Sequence, residues 1–345
     1  MALTIEERVA RELKVSLNQT KSVLGLLDEG CTVPFIARYR KEATGNLDEV
    51  AITGIRDRAE QIAELEKRRA AILSSLIERE LLTEALRKSI ETAETLASLE
   101  DLYLPYRPKR HTRASIAREK GLEPLAVRLM KQAGGNPLEM AQPFLNEEKG
   151  VLTPEDALAG ARDIIAESAS EHTGSRAGVR QLFARKGVIA SAPVAGKEEE
   201  GQKYRDYFDV QTAVSQAPSH RILALFRGEK EGVLSLSIAP PPGEGVDLLE
   251  RTFVRGRGAD SEQVRLAVHD GYQRLLAPAM ETELRNDLKK RADAEAIRVF
   301  ADNVREVLMS SPLGQKRVLA IDPGFRTGCK LVVLDPLGRL IKSDV

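Results

Sequence analysis

The amino-acid sequence predicts a mainly α fold with a small β insertion and a short β-rich segment at the C-terminal end. Three observations support this prediction. Apolar residues recur at helical spacing over most of residues 4–185, extended apolar runs interrupt that pattern near residue 188, and two apolar runs separated by turn residues follow from residue 319. Aromatic residues make up only 4% of the 345 residues, so Leu, Ile and Ala must fill the helical core.

Capping signals and apolar stripes locate the helices of the first half. Thr4 and Glu7 have the spacing of a capping box. Asp48 is placed to cap a long helix that continues to about Arg79, and Thr83 is placed to cap the next helix. The apolar residues of the long helix fall on one face. They are Ile55, Ile62, Leu65, Ile72 and Leu76.

The second half begins with a helix and then changes character. Thr153 is an N-cap candidate that is followed by a proline and two acidic residues. Residues 189–195 are expected to be extended. Residues 222–226 and 233–238 have the composition of paired strands around glycine turns. From Ser261 a helix is expected to continue to about residue 310, with one break near a proline at position 278.

Composition and charge exclude several classes of protein. The 52 basic and 52 acidic side chains cancel, so any nucleic-acid contact needs a local patch. Cys31 and Cys329 lack metal or redox spacing, which favours a reducing compartment. No apolar run approaches the roughly 18 residues of a membrane span, and no signal-peptide pattern is present. We therefore expect a soluble, cytoplasmic protein with no membrane partner, cofactor or small-molecule substrate.

A basic cluster interrupts the helical pattern at residues 103–113. It has four cations in seven residues, two tyrosines beside them, and prolines that disfavour a helix. Cations on a stiff loop suit phosphates, and tyrosine rings can stack on bases. The alternative is a solvated loop whose tyrosines anchor it to the core. A smaller cluster of the same kind lies at residues 38–41. The candidate phosphate contacts are Arg107, Lys109, Arg110 and Arg113, with Arg38, Arg40 and Lys41 behind them.

Residues 115–130 have the spacing of a helix-turn-helix. The small, turn and apolar positions are Ala117, Gly121 and Val127, and Pro124 opens the second helix. A helix that reads DNA should present several polar side chains to base edges, and this one offers little beyond Arg128 and Lys131. A pair of packed helices without DNA contact is therefore the favoured interpretation.

The sequence contains no recognisable catalytic motif. The four histidines have no zinc-like spacing, the glycines form no phosphate-binding loop, and no serine or cysteine lies in a nucleophile motif. Residues 255–258, Arg-Gly-Arg-Gly, are too short for an RNA-binding repeat and are interpreted as a turn. We assign no catalytic residue.

One carboxylate in the C-terminal segment has a chemically suggestive position. Asp322 ends an apolar strand, which is where two-metal phosphodiester hydrolases hold magnesium. One carboxylate cannot fix two ions, and Asp335 lies in a turn. The alternative is that Asp322 caps its own turn.

Five ordered motifs resemble the bacterial Tex family of transcription accessory proteins. The last of them resembles the start of that family's RuvC-like, YqgF-type RNase H domain. The motifs are TVPFIARYRKEATG at residues 32–45, LEDLYLPY at 99–106, GKEEEG at 196–201 before Tyr207 and Phe208, APSHR at 217–221 with FRG at 226–228, and DPGFRTG at 322–328.

The resemblance implies a nucleic-acid-binding protein that acts on transcription. Family members have a helical N-terminal region with a helix-turn-helix-like part, an RNase H-like domain, helix-hairpin-helix elements and an OB-fold RNA-binding domain. This sequence stops inside the RNase H-like part, so an N-terminal fragment is expected. Asp322 matches the first metal-binding carboxylate of active relatives, but the family's domain is not regarded as a nuclease. We expect no enzyme activity and only a vestigial metal position.

Three domains are expected from these patterns. They are a helical N-terminal domain at residues 1–190, a middle region with a small β hairpin and long helices at 191–316, and a truncated α/β RNase H-like domain at 317–345. The predicted function is a scaffold with auxiliary, sequence-nonspecific contacts to RNA or DNA phosphates. The alternatives are a RuvC-like metal-dependent nuclease and a helical module that docks on RNA polymerase.

Overall fold

The computed structural model describes residues 3–109, 111–324 and 328–345, and most of them are helical, which confirms the mainly α fold class. Arg110, a predicted phosphate contact, and residues 325–327 of the last motif lie outside the described residues. The helices are α1 (Ile5–Leu13), α2 (Leu17–Asp28), α3 (Val33–Tyr39), α4 (Lys41–Thr44), α5 (Glu49–Glu78), α6 (Glu84–Thr92), α7 (Leu96–Tyr103), α8 (Arg113–Glu119), α9 (Glu123–Lys131), α10 (Pro137–Ala141), α11 (Pro154–Glu171), α12 (Thr173–Lys186), α13 (Ser219–Lys230), α14 (Glu244–Phe253), α15 (Ala259–Asp270) and α16 (Ala277–Met309). The strands are β1 (Val188–Pro193), β2 (Val210–Ala213), β3 (Leu234–Ala239), β4 (Val318–Gly324), β5 (Gly328–Leu334) and β6 (Leu340–Asp344).

The predicted caps form at the N-termini of α1 and α5. In α1 the Thr4 hydroxyl accepts a hydrogen bond from the Glu7 amide at 3.2 Å, and the Glu7 carboxylate accepts one from the Thr4 amide at 2.9 Å. In α5 the Asp48 carboxylate accepts a hydrogen bond from the Ala51 amide at 2.7 Å. These side chains satisfy amides that have no partner within the helix.

The long helix α5 connects two hydrophobic clusters, and its predicted apolar stripe is buried. Its first half packs on α1, α2 and α3, where Val9, Val23 and Ile36 are fully buried. Its second half packs on α6 and α7, where Ile90 and Leu99 are fully buried. The stripe therefore positions both α3 and the end of α7, the two elements next to the predicted basic clusters.

A third cluster is built around α11. This helix packs against α8, α9 and α15 through small residues such as Ala157 and Ala161, which let the helices approach closely. The predicted start of α11 is confirmed by a capping box between Thr153 and Asp156. The predicted irregularity before Pro278 is a π-helical turn, Gly271–Leu276, between α15 and α16.

Helices α8 and α9 both pack against α11, and the favoured interpretation of a packed pair without DNA contact stays a prediction. Gly121 makes the turn at a φ of +85°, and Ala117 is buried. Val127, at the apolar position of the helix-turn-helix spacing, has a side chain that is 53% exposed. The buried face of α9 uses Leu125 and Leu129 instead, and Val127 is two residues from each and lies on the opposite side. A DNA-reading role for this pair stays a prediction.

One predicted strand of the middle region is wrong. Residues 222–226 belong to α13, in which Ile222, Leu225 and Gly228 are buried at the three-residue spacing of a helix face. The extended segment near residue 189 is confirmed as β1, which pairs antiparallel with β2 from Val188 opposite Ala213. The three-stranded sheet has the order β2-β1-β3.

The chain divides into two compact units. The first comprises residues 1–191, 209–216 and 236–285, and the second comprises residues 192–208, 217–235 and 286–345. The predicted domain boundaries near residues 190 and 316 stay a prediction.

Strands β4, β5 and β6 form an antiparallel meander, which confirms the predicted strand, turn and strand pattern of the C-terminal segment. The apolar residues Leu319 and Ile321 of β4 are exposed. Within those residues, no helix is both long and apolar enough to cross a membrane.

Candidate nucleic-acid interface

The tyrosines of the predicted basic loop anchor it to the core. Tyr103 ends α7, is buried, and places its hydroxyl 3.2 Å from the Ser75 hydroxyl. The Arg68 guanidinium lies 5.7 Å from the centre of the Tyr103 ring. The next turn, Leu104–Tyr106, is fastened by a hydrogen bond from Arg79 to the Tyr106 carbonyl oxygen. Tyr103 is thus a structural anchor, and its ring has no free face for a base.

Lys109 is compensated by two carboxylates of α11. Its ammonium group lies 2.6 Å from Glu171 and 3.0 Å from Glu167, and its side chain is only 19% exposed. Arg118 also binds Glu167, at 2.8 Å. The structure therefore gives Lys109 an internal role as the counter-ion of two mostly buried carboxylates, whether or not it also contacts a phosphate.

The pKa values of these two carboxylates are shifted in opposite directions. Burial raises the pKa of Glu167, but hydrogen bonds from Arg118 and Lys109 outweigh burial and hold that pKa below its usual value. Burial also raises the pKa of Glu171, and the Lys109 contact only partly offsets it, so this pKa lies above its usual value. Lys109 is the cation that most offsets the effect of burial on the pKa of Glu171.

Arg107 and Arg113 remain available for contact with a ligand. Both are exposed, and neither has an ion pair with any described residue. Arg107 lines a cleft of about 610 Å³ together with Arg79, Lys109 and Glu171. The four-cation cluster of the sequence is therefore split into one compensated lysine, two free arginines and Arg110, which is outside the described residues.

A second cluster, which we call the α3 patch, consists of Phe35, Arg38, Tyr39, Arg40 and Lys41. Ile36 and Ala37 turn inward and are buried, and the short helix presents Phe35, Arg38 and Tyr39 to solvent.

The α3 patch has an aromatic centre. The side chain of Tyr39 is 67% exposed and that of Phe35 is 38% exposed, and the two ring centres are 5.3 Å apart. The Arg40 guanidinium lies 5.3 Å from the centre of the Phe35 ring, within the range of a cation–π contact. Sequence reasoning missed Phe35, although its four-residue spacing from Tyr39 could have revealed a shared helix face.

The predicted cations of the α3 patch are only weakly compensated. Arg38 lies 3.8 Å from Glu49, and both side chains are mostly exposed. Water screens such a pair, so it contributes little and can be exchanged for another anion. Arg40 and Lys41 are exposed and have no ion pair with any described residue.

Three protein-family models match this chain. They are described as the Tex-like protein N-terminal domain, over residues 3–77, the Tex central region-like model, over residues 132–300, and the Tex protein YqgF-like domain, over residues 316–345. The protein tex of Bordetella pertussis is 43% identical over 97% of this chain and 44% of its own length. The chain belongs to the Tex family.

Other relatives extend the comparison within and beyond bacteria. The transcriptional accessory protein Tex of Neisseria gonorrhoeae is 39% identical over 99% of this chain and 46% of its own length. Human S1 RNA-binding domain-containing protein 1 is 26% identical over the whole chain and 36% of its own length. This Tex chain spans about half the length of the bacterial curated relatives it matches.

The Tex matches cover the two basic clusters unequally. The α3 patch falls inside the N-terminal domain match, whereas residues 104–113 fall between the first two matched ranges. The DPGFRTG motif falls inside the YqgF-like match.

Asp322 lies within β4 of the YqgF-like segment. It is opposite Lys330 in the strand register, and the side-chain oxygen and nitrogen are 3.7 Å apart. The Asp322 side chain is 77% exposed. Within the described ranges, no group of three or more His, Cys, Asp or Glu residues could hold a metal ion.

Proposed function

We propose that this Tex chain supplies an auxiliary, sequence-nonspecific contact to RNA or DNA within a transcription accessory protein, and that the α3 patch makes the contact. The names of two relatives, a transcriptional accessory protein and an S1 RNA-binding domain-containing protein, support a nucleic-acid-associated role. The observation that carries the proposal is the exposed Phe35–Tyr39 pair flanked by weakly compensated cations. We place the protein in the cytoplasm.

The chemistry of the α3 patch suits a single strand. An exposed aromatic face can stack on any base, and such a contact contributes about 1–3 kcal/mol. Arg38, Arg40 and Lys41 can neutralise phosphates on either side of the stacked base. Each neutralised phosphate contributes about 0.7 to the slope of log affinity against log salt for a single strand. Three such contacts predict a slope contribution of about 2.

The loop cations are assigned different roles. Arg107, Arg113 and Arg110 are proposed as a secondary phosphate contact, since the first two are exposed and uncompensated. The proposed main role of Lys109 is to compensate Glu171, because both its carboxylate partners are mostly buried.

The test is a salt titration of binding to labelled single-stranded RNA and DNA. The variants are Tyr39→Ala and a triple change of Arg38, Arg40 and Lys41 to alanine. The triple change should reduce the salt slope by about 2, and Tyr39→Ala should weaken binding about tenfold with the slope unchanged. A double change of the exposed residues Lys67 and Lys88 to alanine is the matched control. Equal binding by all variants would refute the assignment to the α3 patch.

We also propose that the chain has no nuclease activity of its own. The exposure of Asp322 and its pairing with Lys330 support this, since a two-metal site needs several converging carboxylates. Magnesium-dependent cleavage that disappears in Asp322→Asn would contradict it.

Docking on RNA polymerase is the rival proposal for the helical surface. Retention of polymerase by the wild-type chain after nuclease treatment, with no effect of the Tyr39 change, would favour that role over nucleic-acid contact.

A further inference from the structure

The turn between α14 and α15 is fixed by residues that are distant in sequence. We call residues 254–258, with sequence Val-Arg-Gly-Arg-Gly, the arginine loop. The Gln132 side-chain amide donates to the Phe253 carbonyl oxygen at 2.7 Å, and its oxygen accepts a hydrogen bond from the Arg255 amide at 2.8 Å. Gln132 thus replaces a main-chain partner on both sides of the point where α14 ends.

The far end of the arginine loop is held by Asp260. This side chain is almost fully buried, and its carboxylate accepts hydrogen bonds from the Gly134 amide at 2.8 Å and the Ser261 amide at 2.9 Å. Gln132 and the Gly134 amide, which make these contacts, both belong to the segment that follows α9. The loop is therefore held at a defined position, although its two arginine side chains are exposed.

The arginine loop and the last turn of α14 together carry three arginines without an ion-pair partner in the described part of the chain. Arg251, Arg255 and Arg257 are exposed, and none of them has an ion pair with a described residue. They line a depression of about 480 Å³ together with Arg265 and two carboxylates, Asp247 and Glu250. Glu250 is already engaged by His269 and lies 3.6 Å from Arg265.

Three arginines without partners around one depression suit an anionic ligand with several phosphates. A guanidinium group donates paired, planar hydrogen bonds that match phosphate oxygens, and it keeps its charge at any working pH. The residues that line the depression include no aromatic side chain. Contact there would read phosphates without stacking on bases.

We propose that the arginine loop is a second phosphate-contact site for single-stranded nucleic acid, distinct from the α3 patch. The inference rests on the proposed function, because it takes its ligand class from there. The residues of the two sites are different. The sequence pattern Arg-Gly-Arg-Gly is too short to indicate such a site. The site is indicated by the hydrogen bonds of Gln132 and Asp260, which hold the loop in place.

The first test removes the charge. A triple change of Arg251, Arg255 and Arg257 to alanine should reduce the salt slope of oligonucleotide binding by about 2, by the same reckoning of about 0.7 per phosphate. The same three positions changed to lysine should keep most of the slope. The Lys67 and Lys88 double variant is the control for general loss of charge, and thermal unfolding confirms that each variant is folded.

The second test removes the support and leaves the charge. Gln132→Gly deletes both hydrogen bonds, and glycine tolerates the left-handed backbone of this position, where φ is +50°. Binding should weaken several-fold while net charge is unchanged. Protection of Arg255 and Arg257 from phenylglyoxal by the oligonucleotide would locate the contact.

The outcomes separate the two proposals. If wild type binds and only the α3 variants weaken binding, the arginine-loop inference is overturned and the proposed function stands. If only the arginine-loop variants weaken binding, the assignment to the α3 patch fails and this inference stands. If the wild-type chain shows no salt-dependent binding, both are overturned.

Discussion

Lys109→Ala is expected to destabilise the chain, and the matched change Arg107→Ala is not. Lys109 is the close cationic partner of Glu171, at 2.6 Å, and both side chains are mostly buried. Removing one member of a buried ion pair costs about 3–5 kcal/mol. We expect about 3 kcal/mol, since Glu167 keeps its second cation, Arg118, at 2.8 Å. Arg107 is exposed and uncompensated, so its loss should change the free energy of unfolding by less than about 0.5 kcal/mol.

The pH dependence of the Lys109→Ala deficit follows from the pKa of Glu171. Burial already raises this pKa, and loss of the lysine raises it further. A carboxyl whose folded pKa lies above its unfolded value binds a proton more tightly when folded, so stability increases as pH falls. The deficit should therefore shrink as pH falls from neutral towards the unfolded value of about 4.3. The pKa of Glu167 is lowered, so its contribution is lost only below the unfolded value of about 4.3.

Denaturant unfolding of wild type and both variants, at several pH values in that range, measures these effects. Equal stability of the two variants would refute the compensating role of Lys109, and a deficit that grows as pH falls would refute its electrostatic origin. In the binding assay, Lys109→Ala should keep the wild-type salt slope, whereas Arg107→Ala should reduce it by about 0.7.

Three further predictions concern stability and can be measured by the same unfolding assay. Asp101 is almost fully buried and accepts hydrogen bonds from Arg176 and Arg180, so Asp101→Asn should cost about 3 kcal/mol, and a fully stable variant would contradict the network. Gly271→Ala should cost about 1–3 kcal/mol, because a Cβ there would lie 2.7 Å from a main-chain oxygen of α11. Gly25→Ala is its matched control: a Cβ within α2 meets nothing within 4 Å, so a gain of about 0.5–1 kcal/mol is expected and a loss would show that the space is not free.

The sequence was informative wherever the signal is local. The Thr4–Glu7 capping box, the Asp48 cap and the buried stripe of α5 depend on residues within a few turns of one another, so spacing alone predicts them. The prediction of a strand at residues 222–226 was wrong because a short apolar run fits a strand or a buried helix face equally well. The exposure of Val127 could not be predicted, because the spacing of a motif does not indicate which side of α9 packs against the core.

The sequence by itself determined the family and the mainly helical fold, since ordered motifs and periodic apolar residues can be recognised without any knowledge of packing. Only the tertiary structure decided which cations are available. Lys109 and Arg107 look alike in sequence, yet the carboxylate that compensates Lys109 lies 62 residues further along the chain. Gln132 supports the arginine loop from 123 residues away. The ion pairs of a cation and the hydrogen bonds that hold a loop depend on distances in space. The local spacing of residues in the sequence cannot predict those distances.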